Sequence, residues 1–149
     1  MGNYLAIDAG VKTGFALFSD QGTLLKFSLH NYGSMGCLKR DMKRFFILCD
    51  PLDAIIIEGG GNIAQAWQKE AECRNIDVIA FHAETWRKEM FKISDPTKTK
   101  AVKELAIQTA RKIIADAGLP FPKTLMADAA EAILAGYWAI KKRNLEAAE

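Results

Sequence analysis

The sequence predicts an α/β fold: a five-stranded mixed sheet that combines an antiparallel meander with two parallel strands and is flanked by helices. Two observations lead to this prediction. The N-terminal part of the chain contains three short β-rich runs separated by turn residues, which is typical of a meander. Further on, apolar strands alternate with amphipathic helical patterns, which is typical of parallel strands joined by crossover helices.

The meander is predicted from three runs, over residues 4–8, 13–19 and 24–30. Gly10 and Gly14 flank the turn between the first two strands, and Asp20, Gln21 and Gly22 form a favourable turn sequence before the third. These short connections predict that consecutive strands pair antiparallel.

A helix, a fourth strand, a second helix and a fifth strand are predicted next, over residues 35–48, 53–58, 62–74 and 77–81. Ser34 is a suitable N-cap for the first of these helices, and Asn62 is one for the second. The β-branched run at 55–57 indicates a strand buried on both faces. The last half of the chain is predicted to be helical, with segments over 85–91, 97–117 and 124–144.

Length and composition indicate a soluble globular protein. With 149 residues, half of them hydrophobic and 26% charged, we expect residues 1–149 to form a single domain with a substantial core. No apolar run is long enough to span a membrane, and the N-terminus lacks the pattern of a signal peptide. The three cysteines are scattered and form no CxxC pair, so we expect a reducing, cytoplasmic location.

Two acidic residues occur where predicted core strands end. Asp8 closes the first strand, and Glu58 closes the fourth, immediately before a triple glycine at 59–61. Burying a carboxylate is costly unless it is paired or binds a metal ion, although an aspartate at a strand end also commonly caps a turn. If the two strands are neighbours, both acids lie at the sheet edge where open α/β sheets usually hold their sites.

A second pair of acids occurs in the predicted final helix. Asp128 and Glu131 are three residues apart, so they share a helical face, among small alanines. Acids in the first turn of a helix also interact favourably with the macrodipole, which is the alternative explanation of this pair. Together with Asp8 and Glu58 they predict a site of four carboxylates. Such an oxygen-only ligand set suits Mg²⁺ or Mn²⁺, and two such ions would support phosphodiester hydrolysis.

The order of these acids along the chain resembles that of the RuvC-like Holliday-junction resolvases of the RNase H-like superfamily. The resemblance is carried by residues 7–14 (IDAGVKTG), 55–58 (IIIE) and 127–132 (ADAAEA). It implies an RNase H-like fold, catalytic and metal-binding roles for the four acids, two divalent ions per active site, and a homodimer that nicks branched DNA symmetrically. Glu131 stands where aspartate is more usual. The triple glycine at 59–61 stands where bacterial members carry an aromatic residue that wedges into the junction.

Basic residues are concentrated in one part of the chain. Residues 87–112 contain eight basic and three acidic side chains, a local net charge of +5 against +2 for the whole chain. A positive surface attracts phosphate, although a solvated helix face would give the same pattern. Besides Lys12, in the hairpin turn beside Asp8, the predicted DNA-binding residues are Arg87, Lys88, Lys98, Lys100 and Lys103. The resemblance also implies a lysine in this region, for which Lys100 is favoured.

Other functions are compatible with parts of the sequence. An RNA-processing or general structure-selective nuclease of the same superfamily would use the same acids. Residues 8–14 also resemble the first phosphate loop of actin-like nucleotide-binding proteins, but those need two such domains, which 149 residues cannot supply. A catalytically silent DNA-binding module is a further alternative, against which the complete set of four acids argues.

Overall fold

The strands form one mixed sheet. The computed structural model describes residues 2–58, 60–82, 85–88, 99–120, 122 and 127–148. The strands are β1 (Asn3–Asp8), β2 (Lys12–Phe18), β3 (Leu24–Asn31), β4 (Leu52–Glu58) and β5 (Asp77–Phe81), in the spatial order β3-β2-β1-β4-β5. The β1–β2 and β2–β3 pairs are antiparallel, and β1–β4 and β4–β5 are parallel. The predicted fold class is therefore confirmed.

In the described part of the chain, the long helices that flank the sheet are α1 (Met35–Leu48), α2 (Gly61–Cys73), α3 (Thr99–Asp116) and α4 (Ala127–Ala148). Residues 85–88 are also helical. Helix α1 has the predicted bounds, and its Ser34 cap accepts a hydrogen bond from the Cys37 N–H at 3.2 Å. The predicted Asn62 cap of α2 is wrong, because Gly60 is the N-cap and Gly61 already begins the helix with a φ of +81°, which glycine adopts without strain.

The final helix is longer than the sequence predicts. Helix α4 continues to Ala148, beyond the predicted end at residue 144, because the charged and alanine-rich tail favours helix. The predicted helical residues 89–91, 97–98 and 124–126 lie outside the described part of the chain.

Side chains alternate across the sheet and supply two hydrophobic cores. Leu5 and Ile7 of β1 point to the face covered by α1 and α2, where they pack with Leu38, Met42 and Trp67. The opposite face packs against α3 and α4, and its core contains Tyr4, Ala6, Phe18, Ile56 and Ile133. By the same alternation, Asp8 and Glu58 lie on the face that α4 covers. The cores thus determine which helix can complete a site with these acids.

Helix α4 lies very close to the sheet because small residues line the contact. Alanines at 129, 130, 132 and 135 are buried along it. A Cβ added at Gly136 would overlap the ring of Phe18 and come within 2.9 Å of the Ala6 Cβ. This close approach brings the first turn of α4 down to the strand ends.

Two predictions from composition can be compared with the structure. All three cysteines are free thiols. Among the described residues, no helix is both long enough and apolar enough to cross a membrane.

Candidate metal centre

The pairing of β1 with β4 places the first two acids side by side. The strands run parallel, and Asp8 is opposite Glu58 at the last position of the register. Beyond this pair, the Ala9 N–H donates a hydrogen bond to the Glu58 carbonyl oxygen at 3.1 Å, which holds the two strand ends together. The prediction that β1 and β4 are neighbouring strands is confirmed.

The first turn of α4 brings the second pair of acids to the same edge. Gly14 of β2 pairs with Asp8, and the backbone of Asp128 lies directly over Gly14. A Cβ at Gly14 would overlap the carbonyl oxygen of Asp128, so a residue without a side chain is required there. Gly14 therefore allows Asp128 to reach Asp8.

Replacing Gly14 by alanine should destabilise the protein by about 1–3 kcal/mol, because the helix must move to accept the methyl group. Gly36→Ala in α1 is the matched control, since a Cβ there meets nothing within 4 Å and alanine favours helix. Thermal denaturation of both variants measures the difference. Equal melting temperatures for G14A and the wild type would contradict the requirement for glycine under Asp128.

Three of the four predicted acids come within reach of one cation. Asp8, Asp128 and Glu131 each offer a carboxylate oxygen, and these three oxygens lie within 4.8 Å of one another. All three residues are partly buried. Their spacing and chemistry could hold a divalent cation, and oxygen donors of this kind suit Mg²⁺ or Mn²⁺.

Glu58 stands beside this group rather than inside it. It is only 4% exposed, and its Oε2 atom is buried without a hydrogen-bond partner among the described residues. That Glu58 belongs to one site with the other three acids stays a prediction. A buried carboxylate oxygen with no hydrogen-bond donor is costly in a folded protein. A cation at this edge would satisfy it, so the donor set fits a metal ion.

Burial and mutual repulsion strongly perturb two of the acids. The pKa of Asp8 is raised from 3.8 to about 9, first by burial, then by the charges of Glu58 and Glu131 and by a hydrogen bond with Asp128. The pKa of Glu58 is raised from 4.5 to about 8, mainly by burial and the Glu131 charge, while Arg87 and hydrogen bonding by Trp86 lower it. Without a cation, this edge therefore carries more carboxylates than it can ionise at neutral pH.

Arg87, predicted to bind DNA, forms an ion pair with Glu131. The guanidinium also lies over the ring of Trp86, 5.3 Å from its centroid, and Trp86 is fully buried. Both residues belong to the helical segment 85–88, which follows β5. No local sequence pattern predicts this contact, because Arg87 and Glu131 are 44 positions apart.

Three of the other predicted DNA-binding residues have described side chains, and these lie on the surface. Lys12 is the first residue of β2 and is exposed at the edge that carries the acids. Lys88 and Lys103 are also exposed. Lys100 lies in the first turn of α3. Lys98 lies outside the described residues.

Comparisons with known proteins agree with this architecture. No protein-family model matches the chain, and no curated protein matches it in sequence. Among solved structures, the chain is similar to the resolvase of Fowlpox virus, which was crystallised with its substrate, Holliday junction DNA. The TM-score is 0.60, the sequence identity is 15%, and the match covers 98% of each chain. At this identity the likeness shows that the two folds are similar, and it does not single out the RuvC-like enzymes.

Proposed function

We propose that the protein is a metal-dependent endonuclease that resolves four-way DNA junctions, or other branched DNA, by paired phosphodiester hydrolysis. The observation that carries this proposal is the set of acids at the sheet edge. Three carboxylate oxygens lie within 4.8 Å of one another, and a buried oxygen of Glu58 beside them lacks a partner. The similarity of the fold to a junction resolvase supports the choice of substrate.

Asp8, Asp128 and Glu131 would hold the metal, and Glu58 would complete the ligand set from the neighbouring strand. Four carboxylates can balance the charge of two divalent cations, so the proposal includes two ions of Mg²⁺ or Mn²⁺. When bound, such ions activate water and stabilise the charge that develops on the phosphodiester oxygens. The chain itself fixes the acids on a sheet edge and a helix start, which are rigid elements.

Basic residues around the edge would bind the DNA backbone. Lys12 lies next to the acids, and Lys88 and Lys103 are exposed cations in the part of the chain with the excess positive charge. We assign Lys98 and Lys100 to the same role, as the sequence predicts. Lys100 lies in the first turn of α3, where backbone N–H groups can meet a phosphate. Neutralising phosphates releases counterions, so the proposed binding should weaken as salt increases.

A junction presents two symmetric strands to cut, and a homodimer with two equivalent sites matches that symmetry. The proposal therefore includes a homodimer. Free thiols suit a reducing compartment, so we place the protein in the cytoplasm.

A substrate panel tests the proposed function. A four-way DNA junction, a linear duplex of the same arms and an RNA junction of the same sequence are each incubated with the protein and Mg²⁺. We expect cleavage of the DNA junction in preference to the duplex and the RNA. Preference for RNA would favour an RNA-processing nuclease, and binding without cleavage would favour a silent DNA-binding module. Tight ATP binding without any effect on DNA would point to a nucleotide-binding function.

A further inference from the structure

Arg87 brings a positive charge into the group of acids. Its Nη2 atom pairs with Oε1 of Glu131, and both side chains are less than one-fifth exposed. The described residues form two ion pairs. The Arg74–Glu70 pair lies within α2 and its C-cap, whereas the Arg87–Glu131 pair includes an acid of the proposed metal centre.

The contacts of Arg87 leave part of its hydrogen-bonding capacity unused. Its Nε atom is buried and has no hydrogen-bond partner among the described residues. The guanidinium lies over the ring of Trp86, and the electrons of the ring attract its positive charge without a hydrogen bond. Its ion-pair partner among the described residues is Glu131, one of the acids of the proposed metal centre.

We propose that Arg87 is the counter-ion of the metal-free centre and competes with the divalent cation for Glu131, an inference that rests on the metal dependence in the proposed function. The metal-free site has four carboxylates and one guanidinium, so a cation that binds Glu131 meets the positive charge of Arg87. Arg87 then sets the metal concentration at which the site fills. It is a positioning residue, because it acts on the metal through Glu131.

The direction of the effect follows from Coulomb's law. A positive charge close to a divalent cation weakens its binding whether or not the guanidinium moves away. At about 5 Å and the dielectric constant of water, removing that charge should tighten metal binding about tenfold or more. The ion pair also stabilises the metal-free fold, so the same substitution should lower stability when no metal is present.

Calorimetric titration of Mn²⁺ into the full chain without DNA tests this prediction. We expect Arg87→Gln to bind Mn²⁺ about tenfold more tightly than the wild type, and Arg87→Lys, which keeps the charge, to remain near the wild type. Lys88→Gln is the matched control, since it removes the same charge from an exposed neighbour. Unchanged or weaker Mn²⁺ binding by R87Q would overturn the proposal.

A second measurement on the wild type does not depend on how the variant folds. Arg74 is an internal control, because it also pairs with a glutamate, Glu70, and lies over an aromatic ring, that of Phe46, at 5.4 Å. Titration with Mg²⁺, followed by NMR of the arginine side-chain N–H groups, should shift the signals of Arg87 and leave those of Arg74 unchanged. An Arg87 signal that stays fixed at saturating Mg²⁺ would contradict competition for Glu131.

The outcomes separate this inference from the proposed function. If the wild type binds neither Mn²⁺ nor Mg²⁺, the metal-dependent function fails, and the inference fails with it. If the wild type binds metal and cleaves DNA but R87Q gains no affinity, only the role of Arg87 is wrong. A structural role alone would lower the melting temperature of R87Q equally with and without metal.

Discussion

Asp8→Asn should reduce cleavage of a four-way DNA junction by about a thousandfold or more, while the protein still folds and binds DNA. Asparagine has nearly the shape of aspartate but lacks its charge. Asp8 contributes one of the three carboxylate oxygens that lie within 4.8 Å of one another, and it is paired in register with Glu58. Under the proposed function, its loss would remove a metal ligand, and with it several kcal/mol of stabilisation of the transition state. Single-turnover cleavage with excess enzyme measures the effect.

The control for this prediction is Asp77→Asn. Asp77 is exposed at the start of β5 and pairs with Ala54, at the opposite end of the sheet from the acids. This variant should cut at the wild-type rate. Junction binding by Asp8→Asn should equal or exceed that of the wild type, because a negative charge near the DNA backbone is removed. Full cleavage by Asp8→Asn would remove Asp8 from the mechanism.

The metal-free protein should lose stability as the pH rises from about 4 to about 9. The pKa of Asp8 is raised from 3.8 to about 9 and that of Glu58 from 4.5 to about 8. Between the ordinary and the raised values, the folded protein keeps protons that the unfolded chain has released. Raising the pH through this window therefore favours unfolding, and the destabilisation is complete only above the raised values.

Mg²⁺ should restore this lost stability, because a cation favours the ionised carboxylates. At about 100 times the dissociation constant, the gain is about 2.7 kcal/mol, or roughly 5–10 °C in melting temperature for a chain of this size. Thermal denaturation at about pH 5 and about pH 8, in EDTA and in Mg²⁺, measures both effects. A melting temperature that rises with pH in EDTA would contradict the raised pKa values.

Asp8→Asn tests the same account of stability. Because it removes a carboxyl group whose ionisation the fold disfavours, the variant should be more stable than the wild type in EDTA at about pH 8. It should also gain less stability from Mg²⁺. An equal Mg²⁺ shift in both proteins would place the ion elsewhere.

The fold could be predicted from the sequence because local patterns and simple topology agree. The β-branched run at 55–57 indicated a buried strand, and the helix on either side of it implied parallel neighbours. Once β4 lies beside β1, Asp8 and Glu58 must meet at one edge. The spacing of Asp128 and Glu131 likewise predicted that these two acids share a helical face.

The remaining features of the site depend on contacts between distant segments. Arg87 and Glu131 pair across 44 positions, and no local pattern encodes that distance. The sequence predicts Gly14 as a residue that flanks a turn, whereas in the structure it lies beneath the backbone of Asp128. The burial of Glu58 depends on how other segments pack around the end of β4. The spacing of the acids along the chain does not predict this packing.

The most direct test of the central claim is to map the nicks that the wild-type protein makes in an end-labelled four-way DNA junction. The proposed function predicts paired nicks at symmetric positions in Mg²⁺ and no nicks in EDTA. Nicks that persist in EDTA would contradict a metal centre at Asp8, Asp128 and Glu131. An intact junction in Mg²⁺ and in Mn²⁺, with folded protein bound to it, would contradict the nuclease itself.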